Sequence, residues 1–223
     1  MRGKLIVFEG TDGSGKSTQF KRLCTRLEEE GRSFQRLIFP QYDQPSSALL
    51  RMYLQGEFGS HPSDVNAYAA STFYAVDRYA SYKKVWGRYY EEGGLILADR
   101  YTTSNAVHQA SKLPEEERED FFHWLYEFEH GKLELPKPDL VLYLDMPTEK
   151  AVELLRARES ATHTTADIHE VDTAYLRTCR ETALHAARVL GWQVVPCTDE
   201  AGAVRSIDEI HRDVMTRIAG FLS

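Results

Sequence analysis

Residues 10–18 read Gly10-Thr11-Asp12-Gly13-Ser14-Gly15-Lys16-Ser17-Thr18, which fits the P-loop pattern G-x-x-x-x-G-K-[ST]. The three glycines let the backbone turn tightly, so that successive N–H groups converge on an anion. Lys16 adds a charge that can reach the terminal phosphates of a nucleotide, and the Ser17 hydroxyl is placed to bind Mg²⁺. The stretch predicts a loop in which all nine residues contact a nucleoside triphosphate.

The residues on either side of this loop predict a strand before it and a helix after it. Residues 4–8, KLIVF, form a short apolar run typical of a buried strand. After the loop, apolar side chains recur at helical spacing, beginning with Phe20 and Leu23. An anion bound there would meet a helix N-terminus, whose dipole favours negative charge. A glycine-rich turn without a ligand is the alternative, and this setting disfavours it.

Apolar runs that lack strict alternation predict parallel strands covered on both faces. They occur at residues 5–9, 36–39, 95–99, 140–145 and 193–196, with helical segments between them. Strands that alternate with helices predict an α/β fold with a doubly wound sheet, whose ligands bind beyond the carboxyl ends of the strands. We expect one domain over residues 1–223.

Composition limits the classes of partner and the compartment. The 223 residues carry a net charge of −7, which argues against a nucleic-acid or membrane surface. Three widely spaced cysteines without a CxxC pair predict reduced, structural thiols. We see no signal peptide and no apolar run of membrane-spanning length, and we therefore expect a cytoplasmic protein.

Asp99 and Arg100 follow the apolar run that ends the third predicted strand. An acidic residue in this place is the usual second element of the Mg²⁺ site of a P-loop protein. Asp99 could instead cap a helix that begins near Thr102. Arg100 is interpreted as a clamp for an anion at the mouth of the phosphate site.

Two large P-loop classes lack their signatures here. No segment resembles the guanine-reading NKxD motif of GTPases, and no glycine-rich signature of a transporter ATPase is present. Small-molecule kinases remain, in which the P-loop serves the donor and other arginines serve the acceptor.

The chain resembles the thymidylate kinase family over essentially its whole length. The similarity runs, in the family's order, through GTDGSGKSTQ (10–19), FPQY (39–42), YAVDR (74–78), DRYTTSNAVH (99–108), PDLVLYLDMP (138–147) and DIHEVDTAYL (167–176). The resemblance implies a P-loop NTPase three-layer fold with five parallel strands and a lid. It also implies transfer of the γ-phosphoryl of ATP to dTMP, with Mg²⁺, by a homodimer formed through long helices.

The resemblance also implies which residues bind the acceptor. Arg78, on a long predicted helix over residues 63–92, matches the family arginine that grips the acceptor phosphate, and Arg100 matches its second clamp. Tyr74, one helical turn before Arg78, matches the ring that stacks on thymine, where phenylalanine is more usual. Core packing is the alternative for Tyr74. The other matching positions that line the sugar and base pocket are Phe39, Pro40, Tyr42, Ser104 and Asn105.

Two further positions depart from or complete the family pattern. His108 stands where the family often has an aromatic residue that excludes a ribose 2′-hydroxyl, although it could equally be an ordinary hydrogen-bonded helix residue. Asp12 matches a family carboxylate near the acceptor's 3′-hydroxyl and the transferred phosphoryl group.

Two helices are predicted at about residues 148–158 and 171–190. The polar stretch between them, ESATHTTADIHE at residues 159–170, predicts a mobile lid of about residues 156–170, with a plain surface loop as the alternative. Some family members carry an arginine in the P-loop, where this chain has Gly13. The lid must then supply the arginine that works beside Lys16, and the candidates are Arg156 and Arg158. The chain also lacks the arginine of the family's D-R-x-E stretch at residues 167–170.

The sequence leaves two rival functions open. A deoxynucleoside kinase would need a general base near a sugar hydroxyl and would gain little from two arginines. An ATP-binding module without turnover would need no acceptor site.

Overall fold

The computed structural model describes residues 2–59, 61–162 and 173–222. The strands are β1 (Lys4–Glu9), β2 (Gln35–Ile38), β3 (Leu95–Asp99), β4 (Leu140–Asp145) and β5 (Gln193–Pro196). They form one parallel sheet flanked by helices, in the order β2-β3-β1-β4-β5. The predicted fold class is confirmed, and each predicted strand lies within one residue of an observed one.

The helix predicted over residues 63–92 is observed from Ala67 to Glu91, as two α-helices joined by a π-helical turn. The α-helices are α1 (Lys16–Glu29), α2 (Ala48–Leu54), α3 (Ala67–Ser81), α4 (Gly87–Glu91), α5 (Thr102–His108), α6 (Arg118–Tyr126), α7 (Thr148–Thr162), α8 (Thr173–Leu190) and α9 (Ile207–Ile218). Two π-helical turns, Tyr82–Trp86 and Glu127–Lys132, follow α3 and α6. Short 3₁₀ turns lie at Pro45–Ser47, Pro62–Asp64, Ala110–Lys112, Glu115–Glu117 and Ala219–Phe221.

The described residues group into two compact units. One contains the residues up to Val7 together with Phe34–Asp139, and the other contains Phe8–Ser33 together with the residues from Leu140 on. The single domain expected over residues 1–223 stays a prediction.

In the first unit, β2 and β3 pair in parallel, with Leu37 opposite Ala98. The side chains of β3 from Ile96 to Ala98 are fully buried, as a continuous apolar run requires. α3 begins at an Asn66 cap, whose Oδ1 accepts the Ala69 N–H at 2.8 Å.

In the second unit, β4 and β5 pair in parallel, with Leu144 opposite Val195. α1 packs against α9, and its buried face contains Phe20 and Leu23, as the helical spacing predicts. α9 begins with a capping box in which Ser206 and Glu209 each accept the other's backbone N–H.

None of the helices in the described ranges is both long and apolar enough to cross a membrane.

Candidate active site

The P-loop joins β1 to α1 and has the backbone that its glycines predict. Gly13 and Gly15 have φ angles of +78° and +81°, in the left-handed region that glycine adopts without strain. The Ser14 N–H donates to the Thr11 carbonyl at 3.1 Å, which closes the turn. Lys16 is only 7 % exposed and begins α1. An anion held here would meet the backbone amides and the positive end of a 14-residue helix.

α7 passes close to this loop at Gly13. A Cβ placed on Gly13 would lie 2.4 Å from the Ala151 carbonyl oxygen and 3.0 Å from Leu155 Cγ. Any side chain at this position would therefore collide with the helix backbone. This contact gives a physical reason why the chain has glycine where some family members have arginine.

A pocket of about 260 Å³ opens beside the loop, between Thr18 and the segment around Arg205. Its apolar lining is Met146, Leu154, Leu155, Val204, Ile207 and Ile210. The Arg205 guanidinium donates to the Pro196 carbonyl at 2.6 Å and to Asp213 Oδ2 at 3.3 Å. An apolar cleft with one fixed guanidinium suits a flat heteroaromatic ring, since arginine stacks on such rings.

The donors for a metal ion are hydroxyl and carboxylate oxygens, the type that Mg²⁺ prefers. Ser17 is exposed at the start of α1, and Asp99 closes β3 with 7 % of its surface exposed. The alternative role of Asp99 as a helix cap is wrong, because α5 begins at Thr102 and Tyr101 occupies the cap position. Across the described ranges, no group of three or more His, Cys, Asp or Glu side chains could hold a metal by itself. Each of the two oxygens is thus of the type that suits Mg²⁺, and the metal site of Ser17 and Asp99 stays a prediction.

Arg78 lies inside the first unit and is paired with a carboxylate that the sequence did not point to. Its Nε donates to Glu129 Oε2 at 2.7 Å, and its Nη2 donates to Glu129 Oε1 at 2.5 Å. Both side chains are almost completely buried, with exposures of 2 % and 0 %. Glu129 therefore offsets the positive charge of Arg78. A ligand would meet N–H groups of Arg78 that point in fixed directions, with little net charge.

Arg100 contacts His108, the residue predicted to face the sugar. Arg100 Nη1 lies 3.0 Å from His108 Nε2, and because arginine can only donate, this ring nitrogen must be the acceptor. Arg100 has a φ angle of +67°, which is unusual for a residue other than glycine. Strained backbone of this kind is common where a side chain must be held in one place.

Tyr74 interacts electrostatically with three of the other predicted acceptor residues. Burial raises the pKa of its hydroxyl, Tyr53 and Tyr42 raise it further, and Arg100 and Arg78 act in the opposite direction. The structure therefore brings Tyr42, Arg78 and Arg100 within electrostatic reach of Tyr74.

The remaining predicted acceptor residues differ in burial. Asn105 is 1 % exposed, and its Nδ2 donates to the Ser71 carbonyl of α3 at 3.3 Å. Ser104 is half-buried. Phe39 is buried against Tyr101, with ring centroids 5.9 Å apart, and its peptide bond to Pro40 is cis.

Asp77, beside Arg78 on α3, holds the segment that follows β2. Its Oδ2 accepts the Gln41 N–H at 2.8 Å, and its Oδ1 accepts the Ser46 hydroxyl at 2.7 Å. Asp77 is 1 % exposed. It therefore fixes the backbone that carries Tyr42.

The predicted lid is described only in part. α7 runs to Thr162, so the helix extends four residues beyond the predicted end at Arg158 and includes the first part of the predicted loop. Arg156 is exposed on this helix. The side chain of Arg158 and residues 163–172 lie outside the described residues, and the choice between the two arginines stays a prediction.

Sequence reasoning missed Glu129, Asp77 and Arg205. Asp77 stands within the YAVDR motif, so the motif itself could have drawn attention to it. Glu129 and Arg205 stand outside all the quoted motifs, and no local signal marks either of them.

A strand, a glycine-rich loop and a helix arranged in this way define a P-loop NTPase. Residues 8–210 match the thymidylate kinase family, and the chain belongs to that family.

Individual relatives agree with this assignment. A thymidylate kinase of Mycobacterium tuberculosis is 36% identical over 157 residues, which are 69% of this chain and 71% of the relative. The thymidylate kinase of Homo sapiens is 28% identical over 214 residues, which are 96% of this chain and 88% of the relative. A solved thymidylate kinase structure from Candida albicans superposes with a TM-score of 0.70, at 22% identity, over 98% of this chain and 92% of that one. This last likeness supports the fold.

Proposed function

We propose that the chain transfers the γ-phosphoryl group of ATP to dTMP, giving dTDP and ADP. An oxygen of the dTMP phosphate attacks the γ-phosphorus, and the bond from that phosphorus to the β-phosphate oxygen breaks. The observation that carries the proposal is the family match over residues 8–210. The intact P-loop backbone supports it, since that loop is suited to the triphosphate of the donor.

The donor is held by the second unit. Backbone amides of residues 10–18 and the Lys16 ammonium bind the phosphates. The adenine ring occupies the pocket of about 260 Å³ beside the loop, against Val204 and the Arg205 guanidinium. Mg²⁺ would be held by the Ser17 hydroxyl with support from Asp99, and it would neutralise charge on the donor phosphates.

The acceptor is held by the first unit. Tyr74 stacks on the thymine ring, and Arg78 and Arg100 donate hydrogen bonds to the nucleotide. Because Glu129 offsets the charge of Arg78, that arginine contributes orientation more than attraction. His108 accepts from Arg100 at 3.0 Å, so its role includes holding that guanidinium in addition to bordering the sugar.

The transferred group is stabilised by cations rather than by covalent chemistry. Lys16 and one lid arginine, Arg156 or Arg158, neutralise the charge that spreads over the γ-phosphoryl oxygens. Asp12 is half-exposed in the loop. In this proposal its carboxylate faces the 3′-hydroxyl of the acceptor.

The test is an ADP-release assay with five acceptors: dTMP, dUMP, dCMP, UMP and thymidine. We expect dTMP to give the highest kcat/KM. A preference for thymidine would identify a deoxynucleoside kinase, and tight ATP binding without ADP release would identify a binding module. A preference for UMP would show that His108 does not exclude a ribose.

We also propose a homodimer. α3 and the turn after it expose Val76, Tyr79 and Val85, with exposures of 50 %, 39 % and 56 %, and a second copy of the chain would cover them. In analytical ultracentrifugation, Val76→Glu should sediment as a monomer. Leu49→Glu, an equally exposed apolar position on α2, should leave the dimer intact. A wild-type monomer at assay concentration would contradict this proposal.

The proposed location is the cytoplasm. Cys24, Cys179 and Cys197 are all buried and form no disulfide. Burial raises the pKa of the Cys197 thiol to about 12, so this group stays protonated. Buried, protonated thiols suit a reducing compartment.

A further inference from the structure

Glu129 is a fully buried carboxylate that accepts hydrogen bonds from Arg78 and Thr102. It lies in the π-helical turn Glu127–Lys132, at the end of α6, with 0 % exposure. Insertions of this type within helices are frequent at functional sites. A carboxylate so far from water is costly unless its oxygens are satisfied.

Three donors satisfy the two oxygens of Glu129, and they come from two different segments. Arg78 of α3 donates from Nε at 2.7 Å and from Nη2 at 2.5 Å. Thr102, the first residue of α5, donates its hydroxyl to Oε2 at 2.9 Å. Arg78 Nη1 also lies 3.4 Å from the Tyr101 carbonyl, at the same chain segment. One carboxylate therefore ties the helix that carries Arg78 to the segment that directly follows Arg100.

This arrangement constrains Arg78 in two ways. The bidentate pair fixes the plane of the guanidinium, because two parallel N–H···O contacts allow only one orientation. The pair also uses Nε and one N–H of Nη2, so that the remaining N–H groups face away from the carboxylate. A long flexible side chain thereby becomes a rigid donor before any ligand arrives.

We propose that Glu129 is the positioning residue of the acceptor site: it holds Arg78 and the start of α5 in the arrangement that binds the acceptor nucleotide. The proposal rests on the proposed function, since it assumes that Arg78 contacts the acceptor. It predicts that loss of the carboxylate weakens acceptor binding and leaves donor binding intact. A purely structural ion pair would lower stability without this selectivity.

The experiment compares Glu129→Gln and Glu129→Asp with the wild type in steady-state kinetics and in calorimetric titration with dTMP. Glutamine keeps the size and one acceptor oxygen but loses the charge and the bidentate contact. We expect the KM and the Kd for dTMP to rise about 10- to 100-fold, the effect of losing one charged hydrogen bond. The KM for ATP should change less than about twofold, because the donor loop is untouched. Aspartate, which keeps the charge on a shorter stem, should give an intermediate value.

The matched control is Glu127→Gln in the same helical turn. Glu127 is also an acidic residue, but it is exposed and paired with Lys132 at 3.2 Å. It should match the wild type in every parameter. Thermal denaturation of all variants shows whether a change in KM belongs to a folded protein.

Two outcomes would overturn the inference. One is an unchanged dTMP affinity in folded Glu129→Gln. The other is loss of folding in both Glu129 variants while Glu127→Gln stays folded, which would make the pair a folding element only. Failure of the proposed function is a separate result, because the wild type would then show no turnover of dTMP.

Discussion

Replacing Gly13 by alanine should destabilise the protein far more than the same change at Gly15. The two positions have nearly the same backbone, with φ angles of +78° and +81°. Alanine in this left-handed region costs roughly 1–2 kcal/mol at either site. The surroundings differ, however: a Cβ on Gly15 meets nothing within 4 Å, whereas a Cβ on Gly13 lies 2.4 Å from the Ala151 carbonyl oxygen.

The extra cost at Gly13 follows from that distance. Ordinary contacts of a Cβ atom lie at 3.4–4 Å, so the first turns of α7 must shift to accept the methyl group. Overpacking of this kind costs about 1–3 kcal/mol. We therefore expect Gly13→Ala to lose about 2–5 kcal/mol of unfolding free energy, and Gly15→Ala to lose about 1–2 kcal/mol.

The assay is urea unfolding of the unliganded protein, because both glycines belong to the loop that binds the triphosphate. Equal slopes of free energy against urea for the two variants would show that the native and unfolded states expose comparable surface. Equal losses at the two positions would refute the reasoning, since the contact with α7 would then carry no cost.

Three other changes test the donor site, the lid and one half-buried amine. Replacing the lid arginine that reaches the phosphates, Arg156 or Arg158, by alanine should lower kcat by about 10³- to 10⁵-fold with little change in ATP affinity; near-normal turnover in both single variants would contradict the lid assignment. Arg205→Ala should raise the KM for ATP by about tenfold and leave the KM for dTMP unchanged, since its guanidinium lines the pocket beside the P-loop; an unchanged KM for ATP would show that adenine does not bind in that pocket. Burial lowers the pKa of Lys112 from 10.5 to about 8. Between pH 8 and pH 10.5 the Lys112 amine is therefore protonated in the unfolded chain and neutral in the folded chain. Unfolding then takes up a proton, so this group makes the free energy of unfolding rise with pH over that range. In Lys112→Met, this rise in unfolding free energy, measured from pH 8 to 10, should be absent.

The sequence predicted the elements whose physics is local. β1, β3 and β4 each contain four or more consecutive apolar residues, whereas β2 and β5 each contain a shorter apolar run. The P-loop requires glycines with positive φ at fixed spacing. Both signals are contained in fewer than ten neighbouring residues, so no tertiary information is needed to read them. The same holds for the buried face of α1, where Phe20 and Leu23 recur at helical spacing.

The contacts that organise the proposed acceptor site could not be predicted in this way. Glu129 stands 51 positions from Arg78, and its neighbours Glu127 and Lys132 form an ordinary exposed pair. Nothing in the local pattern separates a buried carboxylate from a solvated one. The end of α7 was missed for a related reason, because the polar residues after Arg158 lack the apolar period on which the helix prediction depends.

The paired state of Arg78 changes how the acceptor site should be understood. An acidic chain with a net charge of −7 offers little long-range attraction to an anionic nucleotide. Two arginines in the proposed acceptor site suggest a strong local field, but Arg78 is bound to a carboxylate through two of its nitrogens. The His108 contact likewise fixes the direction of the Arg100 guanidinium. Under the proposed function, selection of the acceptor depends on donors that are already oriented when the nucleotide arrives, because orientation is lost with a shift of a single side chain whereas attraction is not.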